Sequence, residues 1–244
     1  MNTVRFWEEL CANIMPAFEQ ILYDGWLLRF AGGSANNNNS VWPLYTGELP
    51  LAEKSTFCER QYAARKYSCC FRLAEIPGHD AIAALLTERG YVEENPNLLL
   101  VNPSVDGPKA EITELARDEW LETAFRIDPV DNPDLKGWQG QVFSRGVLPQ
   151  RFAVIMRQGQ ACAYGYSTQQ GNILWLNELW VQPELRGQGI GTHLIQGLLH
   201  RGREDGAQIA GLAVNESNIG ARRLYKRIGF VPRYRYGYWE LAEE

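Results

Sequence analysis

The chain has 244 residues, of which 45% are hydrophobic and 22% charged, and its formal net charge is −5. These are ordinary values for a soluble globular protein, and the length fits one large domain or two small ones. A mildly acidic chain has no overall attraction for phosphate backbones, so nucleic acid is not an expected partner. The N-terminus lacks signal-peptide features, and no window approaches the ~20 apolar residues of a membrane span, so no membrane association is expected.

The first half reads as a series of alternating helices and strands. The pattern predicts a helix over 6–18, strands over 25–30 and 40–44, a helix over 51–67, a strand over 70–74, a helix over 80–89 and a strand over 97–101. A polar loop with four consecutive asparagines joins the first two strands, which indicates a hairpin. Gly90 stops the last helix, as glycine commonly does at a helix C-terminus.

The proline-bracketed stretch 103–108 has no periodicity and is the clearest linker. It predicts two domains, residues 1–103 and 109–244. In the second half the pattern predicts a helix over 116–125, strands over 152–157, 162–168 and 173–181, a helix over 192–203, a strand over 209–214, a helix over 218–227 and a strand over 234–241. We therefore expect an α/β fold in which each half has a mixed sheet flanked by helices.

The two halves can be overlaid on one another. The interval from Pro43 to Gly90 spans 47 positions and that from Pro183 to Gly229 spans 46, with the order helix, strand, helix in each. Such self-similarity predicts duplication of one α/β unit. The alternative is a generic alternation of strands and helices that two unrelated domains would share.

The five cysteines are scattered, odd in number and without metal-ligand spacing. They are Cys11, Cys58, Cys69, Cys70 and Cys162. Buried, reduced thiols in a cytoplasmic protein explain them, and no metal is expected. Surface or capping roles are expected for the three histidines, at positions 79, 193 and 200.

Three alternating glycines follow the strand 173–181, just before a predicted helix. They are Gly187, Gly189 and Gly191. Without Cβ atoms, this backbone can curl with its N–H groups inward, and the helix start adds unpaired N–H donors and the positive end of its dipole. Together these form an anion site suited to a pyrophosphate, with Arg186 as an added donor. The spacing fits neither a dinucleotide fingerprint nor a P-loop, and a plain turn is the alternative.

Further along, Asn218 precedes Ala221, and Leu224-Tyr225 leads to Gly229-Phe230. The pattern Arg-x-x-Gly-x-Gly after a strand and proline, then Asn-x-x-Ala, then Leu-Tyr-x-x-x-Gly-Phe, resembles the acetyl-CoA-binding core of the GNAT superfamily of N-acyltransferases. The motifs lie within 178–230, and the order of elements extends the resemblance to most of 111–244.

The resemblance implies direct transfer, in which a neutral amine attacks the thioester of acetyl-CoA within a ternary complex. It implies that the loop holds the pyrophosphate, that Asn218 and the strand backbone bind the pantetheine arm, and that Tyr225 protonates the leaving thiolate. Strand N–H groups near Leu179 and Trp180 could stabilise the oxyanion. The implied cofactor-binding residues are Leu179, Trp180, Val181, Arg186, Gly187, Gln188, Gly189, Ile190, Gly191, Thr192, Asn218 and Tyr225.

Glu178 is the leading candidate for the base, since an alkyl amine with a pKa near ~10.4 must lose a proton before it attacks. It is the only carboxylate on the strand 173–181, and alternation places it on one face with Leu174, Leu176 and Trp180. It could instead bind the substrate ammonium or lie on the strand surface. For Tyr225 the alternative is packing against Leu224 and Phe230.

The first half lacks these motifs. After Pro43 it has a single glycine, and Glu48 and Pro50 stand where a phosphate cradle would need neutral N–H donors. No Asn-x-x-Ala precedes Gly90, and Leu85 or Leu86 stands at the position of Tyr225. It resembles a degenerate GNAT-like unit that shapes the acceptor side.

The sequence thus predicts a cytoplasmic N-acetyltransferase, monomeric or homodimeric, that acts on a small-molecule or peptide amine. The rival hypothesis is a non-catalytic acyl-CoA-binding regulatory module. The joint presence of Glu178, Asn218 and Tyr225 favours the enzyme, since a pure binder needs only the loop. Fold and cofactor motif do not name the acceptor.

Overall fold

The computed structural model describes residues 3–33, 35–129 and 133–242. Its helices are α1 Val4–Ile14, α2 Leu51–Ala64, α3 His79–Glu88, α4 Arg117–Ile127, α5 Pro133–Ser144, α6 Ile190–Glu204 and α7 Ile219–Ile228. Its strands are β1 Glu19–Tyr23, β2 Trp26–Phe30, β3 Val41–Pro43, β4 Phe71–Ala74, β5 Tyr91–Asn102, β6 Thr113–Leu115, β7 Gln150–Arg157, β8 Gln160–Gln170, β9 Ile173–Val181, β10 Ile209–Asn215 and β11 Val231–Leu241. A short 3₁₀ helix, Pro183–Leu185, follows β9.

The chain forms two compact units whose limits differ from the predicted domains 1–103 and 109–244. Unit 1 runs up to Leu98 and adds Asn215–Ser217 and the segment that starts at Arg233, whereas unit 2 holds Leu99–Val214 and Asn218–Pro232. The predicted linker 103–108 forms neither helix nor strand. The division falls instead inside β5, and the part of β11 from Arg233, which includes the four residues that pair with β4, belongs to unit 1.

Unit 1 is built on a mixed sheet in the order β1-β2-β3-β4-β11. β1 and β3 each pair antiparallel to β2, β3 and β4 are parallel, and β4 and β11 are antiparallel. β1 was not predicted, because its EQILY sequence is short and mostly exposed, although Ile21 and Tyr23 pack against the core. The unit's core includes Trp26, Leu28, Phe71, Leu86 and Tyr91.

A buried ion pair lies in unit 1. The Arg72 guanidinium donates two hydrogen bonds of 2.7 Å to the Glu8 carboxylate, and both side chains are almost fully buried. The Tyr234 hydroxyl also donates to Glu8, and the Tyr236 ring lies 3.4 Å from the guanidinium carbon. The cost of burying both charges is offset only because each is hydrogen-bonded and paired.

His79, the first residue of α3, joins the ends of two parallel strands in unit 1. Its Nδ1 accepts from the Ala74 N–H at 2.9 Å, which leaves the proton on Nε2 to be donated to the Pro43 carbonyl at 2.8 Å. The ring is buried, and burial lowers its pKa. This bridging position differs from the surface or capping role expected for it.

Unit 2 contains a mixed sheet in the order β10-β9-β8-β7-β6. Neighbouring strands are antiparallel from β6 to β9, and β9 and β10 are parallel. Two antiparallel pairings followed by a parallel one occur in both units, and α2 and α6 connect the parallel strands. The α/β fold class with mixed sheets flanked by helices is confirmed, while the duplication stays a prediction.

The helices α4 and α5 cover one face of the unit 2 sheet through an aromatic cluster. Trp120 on α4 lies 5.2–5.9 Å, between ring centroids, from each of four other rings. These rings belong to Phe143, Phe152, Tyr164 and Tyr166. α5 was not predicted, because its PDLKGWQGQVFS sequence contains two glycines, which lower helix propensity.

Within the described ranges, no helix is both long and apolar enough to span a membrane. The described residues likewise contain no group of three or more His, Cys, Asp or Glu side chains arranged to hold a metal ion.

Candidate active site

The parallel strands β9 and β10 separate part of the way along. Their paired register runs from Ile173 opposite Ile209 to Trp175 opposite Gly211. β9 nevertheless continues to Val181 and β10 to Asn215. Beyond Trp175, the backbone of β9 therefore has room on this side for an extended ligand chain.

A β-bulge interrupts β9 next to this opening. Tyr164 lies opposite Trp180 and Tyr166 opposite Asn177, so Gly165 alone faces the two residues Glu178 and Leu179. Glu178 has a φ of +50°, which is uncommon for a residue other than glycine. A Cβ at position 165 would lie 2.8 Å from the Cδ2 of Leu179 and 3.3 Å from that of Leu194, so these side chains would have to shift to accept a larger residue.

The bulge also changes which side chains share a face, and the prediction for Glu178 was wrong in this respect. Leu174 packs toward α6, where a Cβ on Gly202 would meet it at 2.6 Å. Glu178 instead lies in the bulge next to the Tyr164–Trp180 pair, where the charge of Asp128 at the end of α4 acts on it. Simple alternation put the two on one face, but the extra residue in the bulge shifts the pattern.

Glu178 lies in a group of polar and aromatic side chains. The Tyr164 hydroxyl donates to the Asp128 carboxylate at 2.9 Å. The Trp180 ring stacks on Tyr164 with centroids 5.3 Å apart and planes at 14°. Burial, and then the charge of Asp128, raise the pKa of Glu178. Glu178 is nevertheless an exposed residue of β9, so solvent screening limits the size of this shift.

A raised pKa suits a carboxylate that takes up a proton, because basicity increases with pKa. Asp128 and Tyr164 were not identified from the sequence. The available signal was weak: Asp128 follows shortly after a predicted helix, and alternation along β8 puts Tyr164 and Tyr166 on one face.

The glycine loop has the conformation that its sequence predicts. Gly187 and Gly189 have φ values of +78° and +82°, and nothing lies within 4 Å of a Cβ built on either. Gly189 is the N-cap of α6 and no side chain caps the helix there. The first-turn N–H groups of Ile190, Gly191 and Thr192 are therefore left for a ligand.

Two further contacts shape the loop. The Arg186 Nε donates to the Val181 carbonyl at 3.0 Å, which ties the loop to the end of β9 and leaves the terminal guanidinium nitrogens to meet an anion. A Cβ on Gly191 would lie 3.2 Å from Leu224. Glycine at this position therefore permits close packing of α6 against α7.

The helix α7 supplies the opposite wall. The Asn218 Oδ1 caps this helix by accepting from the Ala221 N–H at 3.1 Å, which directs the amide nitrogen elsewhere. Tyr225 is 7% exposed, and burial raises its pKa to about 12. Its hydroxyl therefore stays protonated at neutral pH and can donate a hydrogen bond.

Most of the predicted cofactor-binding residues line one cleft of about 540 Å³. They are Leu179, Trp180, Val181, Arg186, Gly187, Gly189, Ile190, Gly191, Thr192, Asn218 and Tyr225. Gln188 differs, because its Oε1 accepts from Arg157 at 2.6 Å. Glu178 belongs to the group around Asp128 rather than to the lining of the cleft.

Residues 110–230 match the model of the acetyltransferase (GNAT) family. The chain is 25% identical over 240 residues to the uncharacterized N-acetyltransferase YobR of Bacillus subtilis (strain 168), covering 95% of this chain and 96% of that one. A shorter match of 38% identity over 66 residues covers 27% of this chain and 39% of the thialysine N-epsilon-acetyltransferase of Bos taurus.

A solved structure with the same fold is a GCN5-related N-acetyltransferase from Kribbella flavida. The alignment covers 100% of this chain and 97% of that one, with a TM-score of 0.73 and 18% sequence identity. Residues 110–230 therefore form a domain of the acetyltransferase (GNAT) family, and the whole chain shares the fold of the Kribbella flavida protein.

Proposed function

We propose that this protein transfers an acetyl group from acetyl-CoA to a primary amine of a small molecule or peptide, by direct attack in a ternary complex. The observation that carries the proposal is the cleft itself. Parted strands end at a glycine loop and an uncapped helix N-terminus, and a carboxylate with a raised pKa lies in the bulge of β9, where that strand pairs with β8.

The cleft fits a long ligand that ends in a pyrophosphate. The N–H groups of Gly187 to Thr192 and the Arg186 guanidinium would hold the anion. The amide nitrogen of Asn218 and the backbone of β9 from Leu179 to Val181 would bind the pantetheine arm. When bound, acetyl-CoA supplies the activated thioester.

Glu178, the backbone of β9 and Tyr225 have three separate roles in the transfer. Glu178 accepts a proton from the amine as the C–N bond forms. The N–H groups of Leu179 and Trp180 donate to the negative charge that develops on the acyl oxygen. Tyr225 donates to the sulfur as the C–S bond breaks, and its raised pKa favours a strong hydrogen bond over complete proton transfer.

A regulatory module that only binds acyl-CoA is the second candidate. It would use the same loop, but it has no need for a carboxylate with a raised pKa beside the bulge. The name of the thialysine N-epsilon-acetyltransferase, to which the chain is 38% identical over 66 residues, supports an amine acceptor.

The test is thiol release from acetyl-CoA across a panel of amines, with binding of acetyl-CoA measured in parallel by calorimetry. The wild-type chain is compared with Glu178→Gln and with Glu184→Gln, a control at an exposed carboxylate in the 3₁₀ helix that follows β9. We expect amine-dependent release in the wild type and the control. If Glu178 is the base, Glu178→Gln should lower kcat. If Glu178 only contacts the substrate ammonium, the same change should mainly raise the KM of the amine. Binding without release for any amine would favour the regulatory module.

A further inference from the structure

Asp128 lies at the end of α4, next to the bulge that carries Glu178, because it is hydrogen-bonded to Tyr164, which pairs with and stacks on Trp180. As the residue that ends α4, it donates its backbone N–H to the Ala124 carbonyl at 2.8 Å. Its carboxylate accepts from the Tyr164 hydroxyl at 2.9 Å. The Tyr164 ring in turn lies between Trp120 at 5.4 Å, edge to face, and Trp180 at 5.3 Å, stacked. These contacts hold the carboxylate next to the bulge.

The surroundings of Glu178 are short of positive charge. The charged group that raises its pKa is Asp128 from α4, and the charge of Glu178 in turn raises the pKa of Tyr164 and Tyr166 on β8. Among the described residues, no lysine, arginine or histidine contributes to the shift of its pKa. The negative charge of Asp128 therefore acts on Glu178 with no opposing cation among the described residues, which disfavours ionisation of Glu178.

We propose that Asp128 is a positioning residue for the transfer: its charge draws the acceptor in as an ammonium ion and disposes Glu178 to take the proton from it. The proposal rests on the proposed function. The acceptor amine then binds as a cation, and the hydrogen bond from Tyr164 holds the Asp128 carboxylate in place.

The reasoning gives a direction for each measurement. Asp128→Asn keeps the size of the side chain and an oxygen for the Tyr164 hydroxyl, but it removes the charge. The pKa of Glu178 should then fall, and the acidic limb of kcat/KM should move to lower pH by about 0.5–1 unit. The amine KM should rise at least about threefold, since the ammonium loses one partner, while the Kd of acetyl-CoA stays unchanged.

The pKa of Glu178 can also be followed without turnover. The ¹³C-labelled glutamate carboxyl resonance of Glu178, assigned by its loss in Glu178→Gln, is titrated in the wild type and in three variants. Asp128→Asn should lower the midpoint and Asp128→Glu, which keeps the charge, should leave it raised. Glu119→Gln, at an exposed carboxylate on the same helix, is the control and should leave it raised.

A midpoint in Asp128→Asn equal to that of the wild type overturns the proposal, and so does an equal fall in Asp128→Glu. The two hypotheses can fail separately. A chain that releases no thiol with any amine refutes the proposed function but leaves the titration readable. A chain that acetylates amines with an unmoved acidic limb in Asp128→Asn refutes only the role of Asp128.

Discussion

The helix α6 has a glycine in the left-handed region at each end, and the pair allows a controlled test of the loop. Gly189 precedes the helix with a φ of +82° and Gly206 follows it with a φ of +88°. A Cβ built on either meets nothing within 4 Å. A side chain at either site therefore meets no neighbouring atoms, and the cost of a substitution comes from the left-handed backbone conformation alone.

The cost of valine at either site follows from that conformation. An L-residue in the left-handed region costs about 1–2 kcal/mol, and a β-branched one lies at the upper end. For a chain of this length, this corresponds to a fall in Tm of roughly 2–8 °C. We expect a similar fall for Gly189→Val and Gly206→Val, measured by differential scanning fluorimetry.

The two variants should differ in binding acetyl-CoA. Relief of strain at Gly189 turns the first-turn N–H groups away from their common target, so the Kd should rise at least tenfold, about 1.4 kcal/mol. Gly206 lies at the opposite end of a 15-residue helix, roughly 22 Å away, and its substitution should leave the Kd unchanged.

Isothermal titration calorimetry with acetyl-CoA decides between these outcomes. Equal affinities for Gly189→Val and the wild type would refute the assignment of the loop. An equal loss in Gly206→Val would show that general destabilisation, and not the loop, weakens binding.

Four further results are expected. Tyr225→Phe should lower kcat by roughly 10²–10⁴-fold with little change in the Kd of acetyl-CoA, and steady-state kinetics with an unaltered kcat would reduce Tyr225 to packing. Calorimetry should give one acetyl-CoA site per chain. In unit 1 the N–H groups of Glu48 and Leu49 before α2 already donate to the Asp24 carboxylate, and His79 holds the ends of β3 and β4 together, so these two donors are not free for the cofactor and the strand ends do not part to admit it. A stoichiometry of two would contradict this. Arg72→Met should lower the free energy of unfolding by about 3–5 kcal/mol, because it leaves its carboxylate partner buried and unpaired, and urea denaturation showing less than 1 kcal/mol would refute the pairing. Glu178→Gln should raise Tm relative to the wild type by a margin that grows as pH rises through the pKa of Glu178. A carboxyl group whose pKa is raised by folding contributes stability at low pH that is lost above it, so a margin constant between pH 4 and pH 8 would contradict the shift.

Much of unit 2 follows from local patterns in the sequence. The strand 173–181 was predicted with the limits that β9 has, and the helix predicted over 192–203 differs from α6, Ile190–Glu204, by two residues at its start and one at its end. Both segments have strong periodicity and clear stop signals in proline and glycine. The glycine loop between them was predicted for the same reason.

The surroundings of Glu178 could not be predicted in this way. Its φ of +50° depends on the register of β9 against β8, and register arises from pairing between strands distant in sequence. The approach of Asp128 depends on how α4 packs on the sheet, which periodicity along one element does not report. The candidate base was therefore identified from the sequence, but its face and its charged neighbour were not.

The strand β11 also has a consequence for how the chain acquires its structure. The Tyr234 hydroxyl and the Glu8 carboxylate are 226 positions apart along the chain, yet they meet in the core of unit 1. Such a contact has a high loop-closure cost and forms late. During synthesis, unit 1 cannot complete its sheet until β11 has left the ribosome, although most of its residues emerge first. Fragments cut at the stretch 103–108 would separate β4 from β11, exposing two strand edges that are prone to aggregate.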